Sequence, residues 1–371
     1  MGHAGGMSTS ELDGGTGRRA GTSVNLAAFL LALVLVAVGA GIGLPHLEKS
    51  GLTVATAVGL VALALGLVVV VGSGSRLLRS ARSWRRVPAA IALVVVAVLI
   101  VYLLAIPLRA ALPPRAAAPS SAPGGAAARA VVVTSGDTRL SGWYTPSTSG
   151  AAVVLLPGSG SSSAALGRHA EVLAAAGLGV LALDPRGQGA SGGRAMDWGW
   201  FGDSDVPAAV TFLTEQDDVD ADRVGVVGLS MGGEQAVGAA GVDPRIRAVV
   251  AEGVTGRSGA DLGWLVDAYG WRGSVTQGVH RIQSGIADVL SPASPPPPLH
   301  EAVAAAAPRP ILLVVAGERP DESHAADALQ AVAPESVEVW VVDGAGHTAG
   351  LRTDPDGWRE RVVGFLDEAL R

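Results

Sequence analysis

Residues 225–240 read GVVGLSMGGEQAVGAA, and a single serine, Ser230, stands between glycines. An apolar run ends just before it and a small-residue helical pattern begins just after it. A hydroxyl on a surface loop needs no such corner, but an attacking hydroxyl does. A strand–turn–helix corner lifts the side chain above the sheet. It also aims backbone N–H groups and the positive end of the helix at the same point. A serine also needs a base. His347, in VVDGAGHTAGL, follows the last Val-rich run inside a glycine-rich turn. As neutral imidazole it would take the Ser230 proton, and as imidazolium it would protonate the leaving group. Surface or core roles account for most of the seven histidines, including His169, which falls in the helical pattern GRHAEVLAAAG.

Both residues need elements to hold them. Strands are expected at 130–134, 140–144, 152–156, 179–183, 224–227, 248–251, 311–315 and 337–342. Helical patterns fall near 163–176, 204–216, 231–241, 323–332 and 357–370. The later strand runs are short, continuous and rich in Val and Leu, as in strands covered on both faces. Their alternation with helices predicts a mostly parallel sheet with helices on both sides. Ligands bind such sheets beyond the carboxyl ends of the strands, where Ser230 falls.

Four ordered motifs now stand together: LPGSGSSS after the third strand, DPRGQGASGG after the fourth, GLSMG at 228–232, and DGAGHTAG after the last. In these, residues 130–371 resemble the α/β-hydrolase superfamily. The resemblance implies an α/β-hydrolase fold and a serine hydrolase of esterase or lipase type. Such an enzyme cleaves an ester-like bond through an acyl-enzyme and needs no cofactor; thioesterase, peptidase and acyltransferase chemistry would use the same residues. It places the acid that orients the histidine just after the strand at 311–315, in AGERPDESH. Asp321 is the first choice, Glu322 and Glu318 are alternates, and Glu252 is an outside candidate after the preceding strand. It assigns the oxyanion donors to the backbone of Met231 and of Ser159, with Gly158 beside it, although Pro157-Gly158 replaces the family's usual His-Gly. Asp184 and Arg186 would brace loops. The long segment at about 254–308 would be a cap, and its Trp264, Tyr269 and Trp271 would either face an apolar substrate group or pack the cap on the body.

The front of the chain is different. Three uncharged runs of 21 residues, at 24–44, 52–72 and 88–108, are long enough to cross a bilayer as helices. Arg76, Arg79, Arg82, Arg85 and Arg86 lie between the second and third, so by the positive-inside rule that loop is cytoplasmic. The expected organisation is a cytoplasmic tail at 1–22, a three-helix membrane region at 23–109 and an Ala/Pro/Gly-rich linker at 110–128. An extracytoplasmic hydrolase domain then fills 129–371. A lipid-like or small-molecule ester is the substrate class that this location favours. Residues 129–371 carry a net charge of −13, so nucleic acid is a poor partner. There is no cysteine, no H-E-x-x-H and no P-loop lysine, and no metal site is expected. Two other readings stay open. Gly158, Gly160 and Ser163 followed by Asp184 mimic a dinucleotide fingerprint, but that reading leaves GLSMG and His347 without a role. A non-catalytic binding or scaffold protein on the same fold is the other.

Overall fold

The computed structural model describes residues 10–125 and 127–371, with side chains described from residue 21 onward. The chain divides into two compact units, Met1–Arg109 and Ala110–Arg371.

In the first unit, α1 (Ser10–Val38) runs through a π-helical turn at Gly39–Gly43 into α2 (Leu44–Ser50). Then come α3 (Val54–Ser80) and α4 (Arg86–Ala111). Of the tail expected at 1–22, residues 1–9 lie outside the described residues and the rest continue α1. Three helical stretches, Gly21–Ser50, Val54–Ser80 and Ser83–Ala111, are long and apolar enough to cross a membrane. Their outward side chains include exposed Val58, Leu65, Val94 and Val98. Thr53 caps α3, its Oγ1 accepting from Thr56 N–H at 3.2 Å.

The second unit is built on one eight-stranded sheet. Its strands are β1 (Arg129–Ser135), β2 (Thr138–Thr145), β3 (Ala152–Leu156), β4 (Gly179–Leu183), β5 (Val224–Leu229), β6 (Ile246–Glu252), β7 (Ile311–Ala316) and β8 (Val337–Val342). The order across the sheet is β1-β2-β4-β3-β5-β6-β7-β8. β2 pairs antiparallel with β1 and β4, and every other pairing is parallel. All eight expected strands are present. β3, β4, β5 and β7 are buried at every residue, which is why they read as unbroken apolar runs. β1, at the edge, alternates.

Helices cover both faces: α5 (Gly167–Ala175), α6 (Gly202–Thr214), α7 (Met231–Val242), α8 (Trp264–Tyr269), α9 (Trp271–Leu290), α10 (Leu299–Ala306) and α11 (Pro320–Gln330). Four short helical pieces, α12 (Gly350–Thr353), α13 (Pro355–Trp358), a π-helical turn and α14 (Gly364–Ala369), close the chain. One core lies between the sheet and Val206, Val237, Val303 and Leu329. The other lies between its opposite face and Leu173, Trp358 and Leu366. α8, α9 and α10 form the long insertion between β6 and β7.

Among its described residues, the stretch expected as a linker has no helix or strand after Ala111, yet it belongs to the second unit and is bonded within it. Ala116 N–H donates to Gln188 Oε1 at 2.5 Å. Arg115 donates to the carbonyls of Gly189 and Ser191. Ser162 Oγ donates to the carbonyl of Ala117 at 2.6 Å.

Candidate active site

β5 ends at Leu229 and α7 starts at Met231, so Ser230 alone makes the turn. Its backbone sits at φ 53°, ψ −120°, in the left-handed half of the map that a side chain rarely adopts. Such a conformation costs about 1–3 kcal/mol and persists only where its surroundings fix it. Here its N–H donates to the carbonyl of Glu252 at 2.7 Å, and its own carbonyl accepts from Glu234 N–H at 3.0 Å. Glycines are required on both sides because backbones cross there. A Cβ on Gly228 would collide with the carbonyl of Gly232, and one on Gly232 would come within 2.5 Å of the carbonyl of Leu156.

His347 hangs from the loop after β8, and Thr348 behind it also has positive φ, at 52°. Its Nε2 lies 2.8 Å from Ser230 Oγ and its Nδ1 lies 2.7 Å from Glu322 Oε1. The second Glu322 oxygen accepts the N–H of Ala316 at 2.9 Å. Ser230, His347 and Glu322 therefore form one continuous hydrogen-bonded line across the carboxyl ends of β5, β8 and β7. The histidine ring is partly open to solvent and the carboxylate is buried, with side chains 38% and 2% exposed.

Asp321, the first choice for the acid, does not reach His347. α11 starts at Pro320, earlier than the periodicity suggests, so Asp321 and Glu322 both lie in its first turn. Successive helical residues point about 100° apart, so only one of the two can face inward. Glu322 does, and Asp321 is turned outward, accepting from Tyr269 Oη at 2.5 Å. Glu318 is exposed, and its backbone N–H donates to the carbonyl of Ala345 in the histidine loop.

Glu252 has a place that the sequence did not disclose. Its carbonyl holds the Ser230 turn, while its buried carboxyl accepts from Gly350 N–H at 2.8 Å and Trp358 Nε1–H at 3.3 Å. One residue thus ties the serine turn to the segment just after His347. Burial pushes its carboxyl above the usual carboxylate range and the charge of Glu322 adds to this, while those two hydrogen bonds oppose it.

Gly158 passes beside the serine, since a Cβ there would touch Ser230 Cβ at 3.4 Å. Met231 is the first residue of α7, where backbone N–H groups lack partners within the helix. Ser159 follows Gly158 on the exposed side of the same loop. Asp184 is buried and accepts from Ser163 N–H, Ser163 Oγ and Ala190 N–H, at 2.8, 2.6 and 2.8 Å. It is thereby spent on holding loops and not on a ribose. Arg186 pairs with Asp205 and lies over the Phe201 ring.

Of the three insertion aromatics, Trp264 is buried and donates to the carbonyl of Thr255 at 3.1 Å, whereas Tyr269 and Trp271 are exposed. A cavity of about 200 Å³ opens between the insertion and α11, lined largely by Trp264, Leu299, Ala325, Ala328 and Leu329.

A family model described as serine aminopeptidase, S33, matches residues 147–272. An uncharacterized protein of Mycobacterium tuberculosis is 39% identical over 113 residues, 30% of this chain and 40% of that protein. The match therefore spans less than half of that relative. An uncharacterized protein of Pseudomonas aeruginosa is 28% identical over 257 residues, 55% of this chain and 68% of its own length. Its crystal structure has the same fold, with a TM-score of 0.51 at 23% identity over 67% of this chain and 96% of that one. The structure of an esterase from Pyrococcus furiosus is 25% identical with a TM-score of 0.55, covering 70% of this chain and 98% of that one.

Proposed function

We propose that this chain is a member of the α/β-hydrolase superfamily and a membrane-anchored serine hydrolase acting on carboxylic esters, with Ser230, His347 and Glu322 as its triad. The observation that carries the reading is the line Ser230 Oγ–His347 Nε2 and His347 Nδ1–Glu322 Oε1, at 2.8 and 2.7 Å. Glu322 would keep Nδ1 protonated, leaving Nε2 free to take the serine proton. Ser230 Oγ would then attack the ester carbonyl. The developing oxyanion would lie between the backbone N–H groups of Met231 and the Gly158–Ser159 loop. His347 would return the proton to the departing alcohol, and water activated by the same imidazole would release the acid.

The cavity beside α11 begins one helical turn from Glu322, and its mostly apolar walls would suit an acyl or other apolar group. Three apolar helices ahead of the domain would anchor it to a membrane. By the positive-inside rule, the arginines between the second and third would put the hydrolase outside the cytoplasm. A lipophilic ester is the substrate class that fits both features.

Peptide hydrolysis would use the same residues, and the description of the matching family model favours it as a second reading. The test is a series of aryl esters of increasing acyl length run beside aminoacyl anilides on the purified full chain. Ester turnover exceeding anilide turnover, and lost in Ser230→Ala, is the expected result. Turnover of anilides alone would replace the ester reading with the peptidase one.

A further inference from the structure

The outward face of α9 carries large apolar side chains that the fold leaves uncovered. Trp271, Val275, Ile282 and Val289 are 73%, 58%, 55% and 86% exposed. Their spacing puts all four on one side of the helix, with Gly278 and Gly285 between them adding no bulk. The strip is about 27 Å long at 1.5 Å per residue. Gly273, Gln283 and Ala287 form the opposite, buried side that holds the helix to the body. Exposed Arg272 and Arg281 flank the strip, and Asp288 is the only acid on the helix. Scattered exposed valines are ordinary, but a continuous strip with an aromatic end and flanking arginines is not.

We infer that this face of α9 is a lipid-binding surface that lies in the headgroup region of the bilayer to which the chain is anchored. The inference rests on the reading of the N-terminal helices as membrane spans. The path of the chain argues for a bilayer over a soluble partner. Ala110 and Ala111, the last residues of α4, are buried in a cluster with Ala287 of α9, Met196, Trp200 and Ala293. The residues that follow are bonded to the body at Ala116 and Ala117. The second unit therefore begins, at Ala110, against the C-terminal turn of α9. An amphipathic helix of this composition, an apolar strip with a tryptophan and arginines at its margins, is the kind that settles at a lipid–water boundary. The arginines would reach for phosphates while the valines and isoleucine enter the acyl boundary. The surface is joined to the active site. Tyr269, two residues before the strip, donates to Asp321, the neighbour of Glu322.

The chain has no cysteine, so single cysteines can be introduced and spin-labelled without background. Val275, Ile282 and Val289 are replaced one at a time, with Thr276 and Asp288 as controls off the strip. The full chain is placed in nanodiscs of phosphatidylcholine with a minor share of phosphatidylglycerol, and collision with oxygen is compared with collision with a nickel chelate. The oxygen-to-nickel ratio is expected to be several-fold higher at the three strip positions than at the controls. Strip labels as open to nickel as the controls would overturn the inference. So would labels shielded from both reagents, which would mean a protein partner or a second copy. A chain that alkaline washing strips from membranes would instead defeat the span reading itself. A second variant, Val275→Ser/Ile282→Ser/Val289→Ser, is expected to keep turnover of a water-soluble short ester while losing at least several-fold on an ester embedded in vesicles. Equal retention of both activities would count against the docking surface.

Discussion

Replacing Glu322 by glutamine separates the two carboxylates that lie side by side at the start of α11. Both Glu322 oxygens are acceptors in use, one toward His347 Nδ1 at 2.7 Å and one toward Ala316 N–H at 2.9 Å. Glutamine offers one acceptor and one donor. With its oxygen on Ala316, its NH₂ faces His347 and makes Nδ1 the acceptor, so the ring proton moves to Nε2 and the base toward Ser230 is lost. With its oxygen on His347, its NH₂ opposes the Ala316 N–H. A buried donor is then left unmet, at about 1–3 kcal/mol of stability. Loss of the correct tautomer in a serine triad costs on the order of 10⁴ in turnover, or about 5 kcal/mol of transition-state stabilisation. Glu322→Gln is therefore expected to lower kcat by roughly 10³–10⁴ with a far smaller change in KM. Asp321→Asn removes only an exposed charge and keeps an oxygen that can accept from Tyr269, so its kcat should stay within about threefold. Steady-state hydrolysis of one soluble ester by both variants checks this. Full activity in Glu322→Gln, or a collapse in Asp321→Asn with Glu322→Gln spared, would refute the assignment.

Three further outcomes follow from the same geometry. Glu234 is buried, and burial pushes its carboxyl up from 4.5 to about 7, against hydrogen bonds from Gly256 and Thr255 and the charge of Arg257. Between these values the folded state holds a proton that the unfolded state has lost, so stability falls as pH rises from about 4.5 to 7, by about 3 kcal/mol at most. Glu234→Gln should abolish that fall and unfold at a higher temperature than the parent at pH 8; a parallel pH dependence in parent and variant would contradict it. Gly232→Ala forces a Cβ to 2.5 Å from the carbonyl of Leu156. It should cost about 1–3 kcal/mol and roughly 3–10 °C in Tm, and an unchanged melting curve would show that the crossing is looser than described. A reporter active only outside the cytoplasm, fused after Arg371, should be active, and silence paired with an active cytoplasmic reporter would invert the topology.

What the sequence disclosed were the features that local pattern alone determines. Ser230 and its turn were legible because the glycines on both sides are consequences of backbone crowding within a few residues. β3, β4, β5 and β7 were legible because burial on both faces leaves unbroken apolar runs, and β1 because its burial alternates along the edge. The first-choice acid, Asp321, lies one residue before the carboxylate that meets His347, because composition says that a carboxylate is present but not which way a helix has turned at that point. That phase depends on α11 starting at Pro320. Glu252 could be named only as a stray candidate, since its partners Gly350 and Trp358 lie about a hundred residues on and no local signal links them. The contact of Glu234 with Thr255 and Gly256 is equally non-local. Trp264 and Trp271 read alike in the sequence, yet packing buries one and leaves the other exposed.

The central claim is an activated serine, and covalent capture tests it most directly. The full chain in detergent is treated with a fluorophosphonate and its intact mass recorded beside Ser230→Ala and His347→Ala. A single adduct on the parent, none on Ser230→Ala, and much slower labelling of His347→Ala are expected. No adduct on a folded parent chain, or an adduct that survives loss of Ser230, would contradict it.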